Sequence, residues 1–168
     1  MNRRVEIAKL PTHEREVKLQ ELEGYLSKEY RKKPPNPLLA HMLGIRTFHQ
    51  HECQSQALLR SAAVALACER YRLTHQEWPA SLEVLVRKKL LDAVPLDPID
   101  GQSLRYRRTK EGIVVYSIGL GEKDNLAHVR SYVTQFELGL DIGFRLWDEW
   151  NRRRPPLPPI ALPEKEER

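Results

Sequence analysis

No run of apolar residues in this sequence is long enough to cross a bilayer. The longest small or apolar stretch, 61–68, falls far short of the roughly 18 residues a membrane helix needs. The opening Met1-Asn2-Arg3-Arg4 leads into no apolar segment of the kind an export signal carries. Neither a membrane span nor an export signal is therefore expected in the chain as written. Charge of one sign is also scarce: 28 Lys and Arg against 23 Asp and Glu leave +5 at pH 7. That excess helps solubility and is too small to argue for nucleic acid by itself. Cysteine is limited to Cys53 and Cys68, which fall in one continuous helical stretch. At a rise of about 1.5 Å per residue they lie about 22 Å apart, whereas a disulfide needs Cα atoms within about 7 Å. The two cannot pair with each other, and the redox compartment stays open.

The signatures of nucleophilic and dinucleotide chemistry are missing as well. There is no Gly-x-Ser-x-Gly, and no Ser or Cys has a sequence context that supplies a base and an oxyanion hole. Gly119-Leu120-Gly121 lacks the third glycine and the following helix of a dinucleotide loop. Asp97 and Asp100 sit in a stretch dense with Pro and Gly, where they read as turn formers rather than as a catalytic pair. No enzyme activity is assigned.

What the chain does have is helical periodicity followed by extended patterning. In 1–36, Pro11-Thr12 is a start signal with Thr12 as N-cap and Glu14 and Glu16 in the favourable first turn. Leu19, Leu22, Leu26 and Tyr30 follow as one apolar stripe that must dock on something. The prolines at 34, 35 and 37 end this helix. From Pro37 to about His75 only Gly44 weakens a helix-compatible run, which at about 1.5 Å per residue would extend close to 58 Å. Its second half carries small residues over much of its circumference and reads as the spine of the core. Trp78-Pro79 stops it, and Ser81 caps a short helix over 82–88 with Leu82, Leu85 and Val86 facing inward. Residues 104–108 and 113–118 then predict a hairpin, with Tyr106 and Tyr116 lining one sheet surface, and 141–146 a third strand with Ile142, Phe144 and Leu146 on one face. The stretch 126–140 is ambiguous. The tail from Asn151 is Pro-rich and charged, and is expected to be polyproline-like or disordered.

Three clusters invite functional readings. His49 and Cys53 stand four apart on one helical face, as zinc ligands do, but supply two of the three or four ligands zinc requires. Arg105, Arg107, Arg108 and Lys110, with Tyr106 interleaved, form the kind of basic hairpin that binds single-stranded nucleic acid. Strand alternation, however, places Arg105 and Arg107 on a solvated outer face, so no nucleic-acid partner is expected. Arg152 to Arg154 followed by Pro-Pro-Leu-Pro-Pro has the form of a ligand for an aromatic groove, and a disordered tail accounts for it equally.

One block is distinctive as an ordered set: Glu69-Arg70-Tyr71-Arg72, Trp78-Pro79, the segment 81–86, then 95–101 (Pro-Leu-Asp-Pro-Ile-Asp-Gly), Leu104-Arg105-Tyr106, and 115–119 (Val-Tyr-Ser-Ile-Gly). It resembles the soluble part of the major pseudopilins of type II secretion systems over about 57–125, with weaker agreement to 146. The resemblance implies an α+β, pilin-like fold. A long N-terminal helix would lie on a small three- to four-stranded antiparallel sheet, with an extra N-terminal helix in this chain. The implied division is 1–36 helical extension, 37–150 pseudopilin-like domain and 151–168 tail. It also implies a non-enzymatic role in assembly or protein interaction at the cell envelope, with self-association through the long helix or a protein partner. The expected location is the envelope or periplasmic face if the chain belongs to a larger protein, and the cytoplasm if Met1 is the natural start. Two departures stand out. The family's helix begins with an apolar half, whereas here 41–52 is rich in His, Gln and Arg. The family's calcium site would map onto the carbonyl of Ile118 with Asp124 and Asp141, but Gly121 stands where an early loop aspartate is expected.

Overall fold

The computed structural model describes residues 3–32, 44–120, 141–150 and 152. A short helix α1 (Arg3–Ala8) precedes α2 (Thr12–Tyr30), the long helix α3 (Ile45–His75) and the short α4 (Leu82–Arg87). Three strands follow: β1 (Arg105–Thr109), β2 (Gly112–Ser117) and β3 (Ile142–Trp147). They form one antiparallel sheet in the order β1-β2-β3. The expected α+β architecture is present, with a long helix on a three-stranded antiparallel sheet and an additional N-terminal helix.

Two helix starts differ from the sequence expectation. Thr12 is the first helical residue, and Pro11 occupies the cap with extended backbone and no side-chain bond. Proline's fixed φ suits that junction without a capping hydroxyl. α3 begins after Gly44, whose φ of 91° is left-handed and interrupts a right-handed helix. Its 31 residues span about 46 Å rather than 58 Å. The segment 33–43, including the boundary at 36/37, lies outside the described residues, as do 121–140 and the Pro-rich tail 153–168.

The stripe of α2 docks as its spacing requires, with Leu19, Leu22 and Leu26 buried, although Tyr30 stays at the margin. Its bed is the first half of α3. Glu23 accepts the Gly44 N–H at 3.1 Å, Glu16 takes the Arg46 Nε at 2.6 Å and the Gln50 amide at 3.0 Å, and Arg15 lies 3.6 Å from Glu52. These partners descend along α2 as they ascend along α3, so the two helices run antiparallel.

The second half of α3 covers the sheet. Val64, Ala67, Cys68 and Tyr71 pack with Ile113 and Val115 of β2, and Leu104, Trp78, Leu82 and Leu85 close the core. Val84, rather than the expected Val86, is the further α4 residue packed against it. All six β2 residues are buried, including Val114 and Tyr116, which point away from the helix. The register pairs Tyr106 with Val115 and Arg105 with Tyr116. Directly paired residues share a face, so Tyr106 and Tyr116 lie on opposite faces and do not line one surface as expected. Tyr106 instead sits on the helix side, where its hydroxyl donates to the Pro79 carbonyl at 2.5 Å.

Candidate functional site

The turn between α4 and β1 carries two carboxylates. Asp100 accepts the Gln102 N–H at 3.0 Å, and Asp97 accepts the Ile99 N–H at 2.9 Å, both two residues on. This is the local turn chemistry that an Asp-Pro-x-Asp-Gly stretch offers. Asp97, however, is wholly buried. Its Oδ1 also accepts the Ser117 hydroxyl at 2.8 Å, and its Oδ2 takes the Ile118 N–H at 3.0 Å and the Arg105 guanidinium at 2.7 Å. The second arm of Arg105 is bound by Asp100. Arg105 is therefore turned into a carboxylate clamp and not out to solvent, a correction to the alternation argument. Burial pushes the Asp97 carboxyl above its ordinary range, with the Ile99, Ser117 and Ile118 donors pulling the other way. Burial pushes Asp100 up too, but the Arg105 and Gln102 hydrogen bonds outweigh it and hold the group low. The knot ties the turn to the end of β2, with backbone N–H groups, the Ser117 hydroxyl and the Arg105 guanidinium all given to its two carboxylates.

The calcium ligands implied by the family resemblance meet this same corner. Ile118 gives its N–H to Asp97, and its carbonyl accepts the Ser117 hydroxyl at 3.0 Å. Asp141 is buried immediately before Ile142, which pairs with Ser117, so the fold does bring Ile118 and Asp141 to neighbouring strands. Asp124 lies outside the described residues. Among the described residues the Ile118 carbonyl and the Asp141 carboxylate offer three of the six to eight oxygens calcium takes. Among the described residues no group of three or more His, Cys, Asp or Glu is placed to hold a metal.

His49 and Cys53 do come together, Nε2 to Sγ at 3.4 Å, and both are buried in the α2–α3 contact region. The nearest further ligand type is Glu52, 3.6 Å from His49 Nδ1. Desolvation raises the Cys53 thiol to about 11 and the Cys68 thiol to about 12. Such thiols are protonated and inert at neutral pH. Both cysteines should therefore resist iodoacetamide in the folded protein at pH 7.5 and react fully in denaturant, read by mass spectrometry. Prompt native labelling of Cys53 would show that the α2–α3 contact opens readily.

At the other end of α3, Glu69 receives both Arg72 (2.8 Å) and Arg152 (2.8 Å), and the opposite arm of Arg72 reaches Glu149 at 3.1 Å. Arg72 also stacks over Trp78, whose indole N–H donates to Asp148 at 2.5 Å. These contacts fasten the end of β3 to the end of α3. Arg108 and Lys110, from the basic hairpin, border an open cleft here with Arg72, Glu77, Trp78 and Asp148. The cleft is lined by both signs of charge, which is unlike the uniformly basic groove that tracks a phosphate backbone.

The face of α3 turned away from the sheet is apolar and open. Phe48, Leu59, Leu66 and Leu73 are 73%, 70%, 68% and 59% exposed. The three leucines recur every seven residues, a signal legible in the sequence beside the small residues between them. Among the described residues no helix is long and apolar enough to cross a membrane. Comparison with protein families, with curated proteins and with solved structures found no match for the chain.

Proposed function

We propose that this chain is a non-enzymatic, pseudopilin-like domain that serves assembly or protein interaction in a bacterial envelope-associated system. The observation that carries the proposal is the two-sided use of α3. One side of its second half holds the antiparallel sheet through Val64, Cys68 and Tyr71, while the other presents Leu59, Leu66 and Leu73 to solvent. Four large apolar side chains kept exposed along one helix mark an interaction face more than a solubility optimum. The ordered block that resembles the pseudopilins supports the same reading, because it supplies the turn, hairpin and helix end that build this architecture.

Sedimentation of the purified chain over a wide concentration range tests this. Association is expected to persist at high salt, because apolar burial is not screened as ion pairing is. A monomer at every concentration argues against assembly by this chain. Binding to single-stranded DNA or RNA that falls steeply with salt would replace the proposal with a nucleic-acid module using Arg107 and Arg108. Stoichiometric zinc lost on His49→Ala would replace it with a zinc protein.

A further inference from the structure

We propose that the open face of α3 is covered by a second copy of the chain, lying antiparallel along the helix with its two-fold axis between Arg60 and Ser61. This rests on the assembly function proposed above and names the partner. The axis position follows from the side chains. Phe48, Ser55, Leu59, Ala62, Leu66 and Leu73 fall along one line of the helix at steps of seven, four, three, four and seven residues, and Glu52 and Arg70 fill the two long gaps of the heptad seam. A two-fold axis makes each residue face the one equally far from the midpoint on the other copy. Phe48 then meets Leu73 of the second copy at both ends, Leu59 meets Ala62 on either side of the axis, and Leu66 lies over Ser55. The two outermost large side chains, Phe48 and Leu73, meet each other, and the bulky ones near the axis oppose small ones.

Charge selects the direction. In a parallel pair Arg70 would lie against Arg70 and Glu52 against Glu52. In the antiparallel pair Arg70 falls within one residue of the second copy's Glu52, twice by symmetry. Glu69 stands opposite Glu52, but both charges are already met within the chain, Glu69 by Arg72 and Arg152 and Glu52 by Arg15 at 3.6 Å, whereas the parallel pair would set Arg70, for which no such partner is seen among the described residues, against itself. The seam from Phe48 to Leu73 is about 38 Å long. A single helix pair of that length sits at the small end of specific interfaces, which bury about 1,200–2,000 Å² in total. The dimer is accordingly expected to be concentration-dependent and not permanent.

Variants that add one cysteine at either end of the seam, beside the buried Cys53 and Cys68, test the geometry. Mixing Phe48→Cys with Leu73→Cys under mild oxidation should give a disulfide-linked heterodimer. Neither variant alone should link to itself, because its two copies of the new thiol stand about 38 Å apart. Leu66→Glu should weaken association by more than about tenfold, since it puts a charge in the seam. Its melting curve should stay near wild type, because Leu66 is exposed in the single chain. Self-linking of Phe48→Cys would overturn the inference in favour of a parallel pair. Association untouched by Leu66→Glu would overturn it in favour of another surface and leave the assembly proposal standing. A wild-type monomer throughout would overturn both.

Discussion

Asp97→Ala is expected to destabilise the protein by about 3–5 kcal/mol, the cost of stripping one partner from a buried charged network. The carboxylate accepts from Ile99, Ser117, Ile118 and Arg105, and alanine leaves these donors facing apolar surroundings, each unmet buried group costing about 1–3 kcal/mol. Arg105 keeps Asp100 and the Ser117 hydroxyl keeps the Ile118 carbonyl, which limits the sum. Arg105→Met should cost less. With the guanidinium gone, Asp97 can take a proton, and burial already favours its neutral form. The pH dependence follows from that direction. A carboxyl whose folded pKa is raised binds more protons folded than unfolded, so its contribution to stability is present at low pH and is lost as pH rises through the folded value. The penalty of Arg105→Met should therefore grow as pH rises above the ordinary carboxylate range. Urea melts followed by circular dichroism measure all of this. A loss under about 1 kcal/mol for Asp97→Ala would show the donors to be satisfied by other means.

Gly143→Ala should be at least as damaging, with an expected loss of about 3 kcal/mol or more. Gly143 pairs with Tyr116, one pair in from the end of the β2–β3 ladder. A β-carbon there would collide with the Val115 carbonyl oxygen and stand 2.6 Å from the Tyr116 Cα. Both are backbone atoms of a fully buried strand, so no rotamer change relieves the contact, and β3 must separate from β2. Gly24→Ala in α2 is the matched control, since nothing lies within 4 Å of its added carbon. In a helix interior that change should stabilise by about 0.5–1 kcal/mol. A folded Gly143→Ala protein with wild-type melting would mean that the sheet register differs from the one described.

The elements that were legible in advance are those whose cause is local. The three buried leucines of α2, the turn after Thr109 and the stop at Trp78-Pro79 each follow from a few neighbouring residues. The Asp97 clamp was hidden because local turn bonding accounts completely for an aspartate in that stretch. Its other donors, Ser117 and Ile118, lie 20 and 21 residues away and arrive only with the folded sheet. Arg105 was misplaced for the same reason: alternation separates two faces but does not say that a buried carboxylate waits on one of them. The faces of Tyr106 and Tyr116 depend on strand register, where one step inverts every side chain. The stripe of α2 predicted that something would cover it, and the spacing carried no information that its bed would be α3 running the opposite way.

The fastening of β3 to the end of α3 bears on how the chain matures on the ribosome. Trp78 and Arg72 must wait for Asp148 and Glu149, 70 and 77 residues later. Until those residues emerge from the exit tunnel, β2, the most apolar strand of the protein, has β1 on one flank and a bare edge of amide and carbonyl groups on the other. A nascent chain halted before Ile142 thus displays a sticky ribbon of the kind chaperones hold.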